Sequence, residues 1–195
     1  MSQAPSLQAL VELAHQYWPA NLVSSDDIRY VTSGEIQRQT ALREAALKDS
    51  SQWNALLEQL GQTLPGCEPW ELPYLLHEPC RYVRISVPGQ GLTKGAGELT
   101  ELAAMVSVLA PVYALFGSRQ RYEDERMVWN ELYFPPLPAE FQPREATLAR
   151  LIEAQLGCTR LANDVLFTPV PDLKVQHLRL GEARLIDCLF STNRW

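Results

Sequence analysis

The sequence has little positive charge for its length. Its 17 lysine and arginine residues stand against 23 aspartate and glutamate residues, which gives a formal net charge of −6. Proteins that bind nucleic acid usually carry a basic stripe, and an anionic membrane surface would repel this chain. We therefore expect no nucleic acid and no membrane among its ligands, and we expect any protein partner to present a basic surface.

Long apolar runs and leader sequences are also missing. The longest apolar candidate, Leu102 to Gly117, is interrupted by Ser107 and Pro111, and falls short of the roughly 20 residues that cross a bilayer. The first residues, Met1 to Ser6, contain neither the cationic segment nor the apolar segment of a signal peptide. These absences predict a cytoplasmic protein.

Cysteine is scarce and shows no metal-binding pattern. The four cysteines are Cys67, Cys80, Cys158 and Cys188. None form a Cys-x-x-Cys pair, and no histidine lies at zinc-finger spacing from them. We expect reduced, buried thiols, as in cytosolic proteins. A disulfide between Cys67 and Cys80 remains an alternative that nothing in the spacing requires.

Familiar catalytic motifs are absent as well. The glycine-rich segment Gly89 to Gly97 has Lys94 followed by glycine rather than by a serine or threonine, so it fails as a phosphate-binding loop and is interpreted as a connector. Ser118 lacks the second glycine of a nucleophile elbow. The three histidines, His15, His77 and His177, are far apart in the sequence. We expect no metal, no cofactor and no enzymatic activity.

Three helices are predicted in residues 1–65. They run from Ser6 to Pro19, from Gly34 to Lys48, and from Ser51 to Pro65. The first and third carry apolar residues at matching spacings of three and four, which places one stripe of each helix against a core. The intervening segment, Val23 to Val31, is predicted to be a linker or a short strand.

Residues 66–195 carry the predicted sheet. Candidate strands are Trp70 to Leu76, Arg81 to Val87, Val112 to Phe116, Met127 to Phe134 and Ala183 to Phe190. Pro73 makes the first an edge strand, and the last, mostly apolar on both faces, is predicted to be buried. Helices are predicted around Leu99, Leu102, Ala103 and Val106, and from Leu148 to Gly157. The 195 residues fit a single α+β domain, in which a mainly antiparallel sheet carries helices on one face.

A polar turn from Ser118 to Arg126 is the candidate binding site. It contains Glu123, Asp124 and Glu125, with arginines on either side. Such a charge run is often only a solvated hairpin tip. Tyr122 and Trp129 could instead serve as aromatic anchors of a binding edge, because such residues dominate interaction hot spots. Asp26 and Asp27 form a rival acidic site. In the last predicted strand, Asp187 is the one polar residue that we expect to be buried, and it should be hydrogen-bonded and structural.

The second half of the chain resembles bacterial immunity proteins of polymorphic-toxin systems. The resemblance is carried by Leu109 to Phe116, Trp129, Tyr133-Phe134, the helix that ends at Gly157, Val170 to Asp172, and Asp187 to Trp195. It covers roughly Arg81 to the end of the chain. It implies a small cytoplasmic α+β protein that binds and neutralises a cognate toxin delivered by neighbouring cells. No binding residues follow from it, because such proteins use different surfaces for different toxins.

Two other functions remain open at the level of the sequence. One is a small-molecule-binding or enzymatic domain whose site is assembled from scattered residues. The other is a chaperone or adaptor for a secreted effector. A toxin-domain gene beside this one would favour the immunity protein, and a metabolic operon would favour the enzyme.

Overall fold

The computed structural model describes residues 5–86 and 96–193, which form seven α-helices and a six-stranded sheet. The helices are α1 (Leu7–Tyr17), α2 (Ile28–Val31), α3 (Gly34–Lys48), α4 (Ser51–Thr63), α5 (Gln142–Leu156), α6 (Asn163–Leu166) and α7 (Leu185–Leu189). The strands are β1 (Pro69–Leu72), β2 (Cys80–Ser86), β3 (Gly97–Ser107), β4 (Val112–Glu123), β5 (Arg126–Tyr133) and β6 (Thr159–Arg160). The predicted α+β class and the helical N-terminal part are confirmed.

Serine side chains cap two of the N-terminal helices, α1 and α3. The Ser6 hydroxyl accepts a hydrogen bond from the backbone N–H of Ala9 at 3.2 Å and so satisfies one of the free donors at the start of α1. Ser33 caps α3 in the same way through the N–H of Ile36. The segment Val23 to Val31, predicted to be a linker or strand, contains the short helix α2 instead, which begins after Asp27.

The sheet is mainly antiparallel, as predicted, with the order β1-β2-β3-β4-β5. The prediction of β1 as an edge strand is confirmed, and β1 pairs antiparallel with β2. The predicted first strand is nonetheless shorter than expected, because Tyr74–Leu76 forms a turn of 3-10 helix. The short strand β6 adds to β4 in parallel at Val112 and Tyr113, in line with β5 along the same edge of β4.

The helix predicted around Leu99 to Val106 is wrong: these residues form the central strand β3. β3 is hydrogen-bonded on both sides, so that Ala103 lies between Arg84 of β2 and Phe116 of β4. From Thr100 to Ser107 every residue is buried. A strand covered on both faces shows no polar alternation, and its apolar residues can therefore match a helical spacing by chance.

The strand predicted from Ala183 to Phe190 is also wrong. Leu185–Leu189 is a short helix, α7, whose five residues are all buried. Asp187 is buried as predicted, and its carboxylate accepts a hydrogen bond from the backbone N–H of Arg184 at 2.9 Å, which caps the helix. A helix that is apolar all round has the same composition as a buried strand.

Two hydrophobic cores fill the two faces of the sheet, so the helices cover both faces rather than the single face expected. The first core joins α1, α2, α6 and α7 to the face that carries Tyr82, Met105 and Phe116. The second core joins α4 and α5 to the opposite face, which carries Val83, Ala104 and Leu115.

The first core is closed by the two ends of the chain. The indole N–H of Trp18, just after α1, donates a hydrogen bond to the carbonyl oxygen of Cys188 in α7 at 2.7 Å. All four cysteines are buried and free, so the prediction of reduced thiols is confirmed and the alternative of a disulfide between Cys67 and Cys80 is wrong.

Among the helices of residues 5–86 and 96–193, none has the length and apolarity required to cross a bilayer.

The predicted glycine-rich connector, Gly89 to Gly97, lies mostly outside the described residues. Of this segment only Ala96 and Gly97 are described, and Gly97 is the first residue of β3.

Candidate functional site

The hairpin formed by β4 and β5 has a much shorter turn than the sequence predicts. The predicted turn, Ser118 to Arg126, is wrong in its extent, because β4 continues to Glu123 and β5 begins at Arg126. Only Asp124 and Glu125 form the turn, with φ angles of 48° and 63°. Two successive positive φ angles are typical of the two-residue turns that match the twist of a hairpin.

The end of this hairpin stands clear of both cores. All seven residues from Glu123 to Trp129 are exposed. They include three large apolar side chains, Met127, Val128 and Trp129, whose exposed fractions are 47%, 47% and 43%. A cluster of exposed apolar side chains bordered by charges is typical of a protein-binding surface. We call residues 122–129 the hairpin tip.

A β-bulge determines which tip residues share a face. Arg121 lies opposite Trp129, whereas Tyr122 lies opposite Met127, so Val128 is an extra residue in β5. Residues opposite each other in a sheet point to the same face. Residues of β4 alternate between the two faces of the sheet, and Tyr113 faces the second core, so Arg119, Arg121 and Glu123 share that face. Their partners across the bulge, Glu131, Trp129 and Arg126, therefore lie on the face of the second core as well.

Most of the tip's acids keep their charge free for a partner. Glu123 lies 3.4 Å from Arg121 in an exposed ion pair, which is weak in water. Asp124 and Glu125 make no ion pair with any residue in the described ranges. The neighbouring Arg119 instead contacts Glu140, and it donates a hydrogen bond to the hydroxyl of Tyr133 at 3.2 Å.

Tyr122 is held in place by a buried polar row across the sheet. Its hydroxyl donates a hydrogen bond to Gln120 at 2.9 Å, and the Gln120 amide donates to Glu101 at 3.2 Å. Glu101 also accepts from Arg84 at 3.2 Å. Burial raises the pKa of Glu101, and the positive charge of Arg84 opposes that rise. Tyr122 is therefore half-buried, and its hydrogen bond fixes its orientation at the base of the tip.

The rival acidic pair, Asp26 and Asp27, belongs to the helical part of the chain. The Asp27 carboxylate caps α2 and lies 2.6 Å from Arg29. The hydrogen bonds from Arg29 lower the pKa of Asp27 to about 2. No hydrogen bond or ion pair within residues 5–86 and 96–193 joins this pair to the hairpin tip. Asp26 is exposed and makes no ion pair in the described ranges, so one charge of the pair stays available. The tip is the better candidate because it also carries the aromatic side chains of Tyr122 and Trp129.

A second polar cluster surrounds a buried glutamate, Glu78, that no sequence pattern marks. Glu78 accepts hydrogen bonds from Gln176 at 2.8 Å and from Asn193 at 3.3 Å. Burial raises its pKa, and hydrogen bonds from Ser191, Gln176 and Asn193 oppose this. Glu78 therefore fastens the residues after α7 to the body of the protein. Its partners lie about a hundred residues away, so no local pattern could reveal the cluster.

His15 also has a partner that its sequence neighbours do not show. Its Nε2 lies 2.9 Å from the carboxylate of Asp172, and its Nδ1 lies 2.8 Å from the Val11 carbonyl oxygen. The pair lies on the surface between α1 and the loop before α7. Within the described part of the chain, no group of three or more His, Cys, Asp or Glu residues could hold a metal ion.

One open cleft bears on the alternative of a small-molecule site. It has a volume of about 520 Å³ and lies between Pro135-Pro136, the start of α5 and the β6–α6 connection. Its arginine, Arg160, lies 2.6 Å from Glu145, so the charge that could bind an anion is already paired. The cleft therefore offers no free cation to a ligand.

The comparisons with known proteins do not distinguish these candidates. No protein-family profile, no curated protein and no solved structure matches this chain. The hairpin tip is thus selected by its geometry: it combines exposed apolar side chains, solvated acids and an oriented tyrosine.

Proposed function

We propose that the protein is a non-enzymatic immunity protein that binds a cognate antibacterial toxin through its hairpin tip and thereby blocks the toxin's active site. The observation that supports this most is the run of seven exposed residues from Glu123 to Trp129, which places three apolar side chains next to three consecutive acids. The resemblance to immunity proteins in the second half of the chain points in the same direction.

The charge of the tip favours a basic partner. Glu123 ends β4, Asp124 and Glu125 form the exposed turn that follows, and the whole chain carries a net charge of −6. An acidic inhibitor is drawn towards a basic cleft during diffusion, and this attraction weakens as salt screens the charges. Toxins that act on nucleic acid or nucleotides need such basic clefts, which the tip could enter and block.

The apolar side chains would supply most of the binding free energy. Tryptophan and tyrosine are the residues most enriched at interaction hot spots, because they bury a large area with few rotatable bonds. Trp129 is exposed, and Tyr122 is held by its hydrogen bond to Gln120. An anchor that is already oriented loses less conformational entropy on binding.

The test is complex formation with the product of the neighbouring gene, once that gene is found to encode a toxin domain. We expect a complex whose association rate falls with salt, and we expect the variant Glu123→Ala/Asp124→Ala/Glu125→Ala to associate more slowly than the wild type at low salt. The matched control is Glu12→Ala/Glu44→Ala/Glu58→Ala, which removes the same charge from exposed helical positions. Slow association of the tip variant alone would show that position, and not only net charge, matters.

Two results would contradict the proposal. If a complex forms but the tip variant associates at the wild-type rate, the tip is not the binding edge. If no complex forms with the adjacent toxin, the immunity function is overturned and the scattered-site enzyme becomes the better explanation.

A further inference from the structure

The outer edge of β5 is a free sheet edge. β5 is the last strand in the order β1-β2-β3-β4-β5, and β6 pairs with β4 only at Val112 and Tyr113. In the described ranges, no backbone hydrogen bond reaches the outer side of Arg126–Tyr133. A free edge presents a row of unpaired N–H and C=O groups that can bind another strand.

The sequence of this edge is complementary to itself. When Arg126-Met-Val-Trp-Asn-Glu131 is laid antiparallel on a second copy, Arg126 lies opposite Glu131, Met127 opposite Asn130, and Val128 opposite Trp129. The two-fold symmetry repeats each pair. Opposite charges that face each other across two strands stabilise a sheet, while like charges in the same positions destabilise it.

The bulge makes this alignment possible. Two antiparallel strands related by a two-fold axis keep their faces, so residues that lie opposite each other must point to the same face of their own sheets. In a regular strand Arg126 and Glu131, five positions apart, would point to opposite faces. The extra residue Val128 places both on the face of the second core, together with Trp129. Met127 and Asn130 share the other face.

We infer that two copies of this chain pair antiparallel through their β5 edges, centred between Val128 and Trp129, into a two-fold symmetric dimer with a continuous sheet. The strand that binds this edge is β5 of a second copy, because Arg126 of each copy then faces Glu131 of the other and no other protein is needed to balance these charges. The exposed Met127, Val128 and Trp129 would then be covered. This inference does not depend on the proposed function, although partner and second copy would compete for Trp129.

The test is the mass of the purified protein by sedimentation velocity over a series of concentrations. An interface of one strand pair is small, so we expect a reversible dimer at twice the 22.0 kDa of one chain that dissociates on dilution. Arg126→Glu and Glu131→Arg each place like charges opposite each other twice, and we expect each to weaken the dimer at least tenfold. The double variant Arg126→Glu/Glu131→Arg restores opposite charges and should restore the dimer.

The matched control is Arg150→Glu, the same charge reversal at an exposed position of α5, which should dimerise like the wild type. A wild-type protein that stays monomeric at every concentration would overturn the inference. So would a dimer that both single variants leave intact, because its interface would lie elsewhere. A dimer that the double variant fails to restore would show that Arg126 and Glu131 do not face each other. Each measurement uses this protein alone, so its failure is separate from failure to bind a toxin.

Discussion

The contact between His15 and Asp172 couples the stability of the fold to pH. The hydrogen bond to the Val11 carbonyl raises the pKa of His15 above its ordinary value of 6.5, and Asp172 adds to that rise. The hydrogen bond from His15 lowers the pKa of Asp172 below its ordinary 3.8. The raised histidine stabilises the fold below its unfolded pKa and loses this effect as pH rises through the folded pKa. The lowered aspartate loses its effect as pH falls through its own folded pKa.

We therefore predict that Asp172→Asn destabilises the protein more at about pH 5.5, where both charges are present, than at about pH 8, where the histidine is neutral. Thermal unfolding midpoints at the two pH values measure this difference. The same substitution should lower the pKa of His15 in an NMR titration. Asp26→Asn, at an exposed position, is the control and should show neither effect. Equal losses for Asp172→Asn at both pH values would mean that the ion pair does not form.

At the residue scale, single side chains are easier to find in the sequence than contacting pairs. Tyr122 and Trp129 can be singled out because they are aromatic residues beside a charged turn. His15 and Asp172 are 157 positions apart. Only the folded chain brings them together, and no spacing rule within one helix or strand can anticipate the contact.

The turn between β4 and β5 is strained at a position where its sequence can be improved. Asp124 and Glu125 both have positive φ, and a residue with a Cβ is disfavoured there, glutamate more than aspartate. Glycine adopts this conformation without that steric penalty. We predict that Glu125→Gly stabilises the protein by up to about 1 kcal/mol, whereas Glu123→Gly, within β4, destabilises it by about 0.5–1 kcal/mol. The urea unfolding midpoints of both variants, compared with that of the wild type, measure these effects. A loss of stability in Glu125→Gly would mean that the turn adopts another conformation.

The elements that could be predicted are those with two distinct sides. α1 and α4 carry an apolar stripe next to a polar one, and serine and proline mark where they begin and end. Most of β3 and all of α7 are buried, so neither has an exposed polar side opposite an apolar one, and the spacing of their apolar residues carries little information. Without a polar side opposite an apolar side, a helix and a strand look alike in the sequence. This is why the sequence predicts a strand where α7 lies and a helix where β3 lies.

The sheet lies between two cores, and each core is covered by its own set of helices. Leu10 lies in the first core and Leu60 in the second, and both are fully buried. Leu10→Ala and Leu60→Ala should each cost about 2–5 kcal/mol through lost burial and a residual cavity. Because the sheet lies between them, we predict that their effects add within about 0.5 kcal/mol in the double variant.

The matched comparison is Leu56→Ala combined with Leu60→Ala. These residues lie one turn apart on α4 and face the same core, so the second substitution enlarges a cavity that the first has opened. The free energy lost in this double variant should therefore differ from the sum of the two single losses by more than it does for Leu10→Ala combined with Leu60→Ala. Equal coupling in both pairs would mean that the two cores behave as one.

The hydrogen bond from Trp18 to Cys188 joins residues that are 170 positions apart, which matters while the chain is being made. A ribosome that adds about 5–20 residues per second needs on the order of 10–30 seconds to synthesise that interval. The side of the sheet served by α4 and α5 has all its helices once residue 156 has emerged. The first core, which contains α1, cannot be completed before α7 is synthesised. Until then its apolar residues remain exposed and can bind chaperones. The nascent chain would thus fold one face at a time, with the face of its first helix completed last.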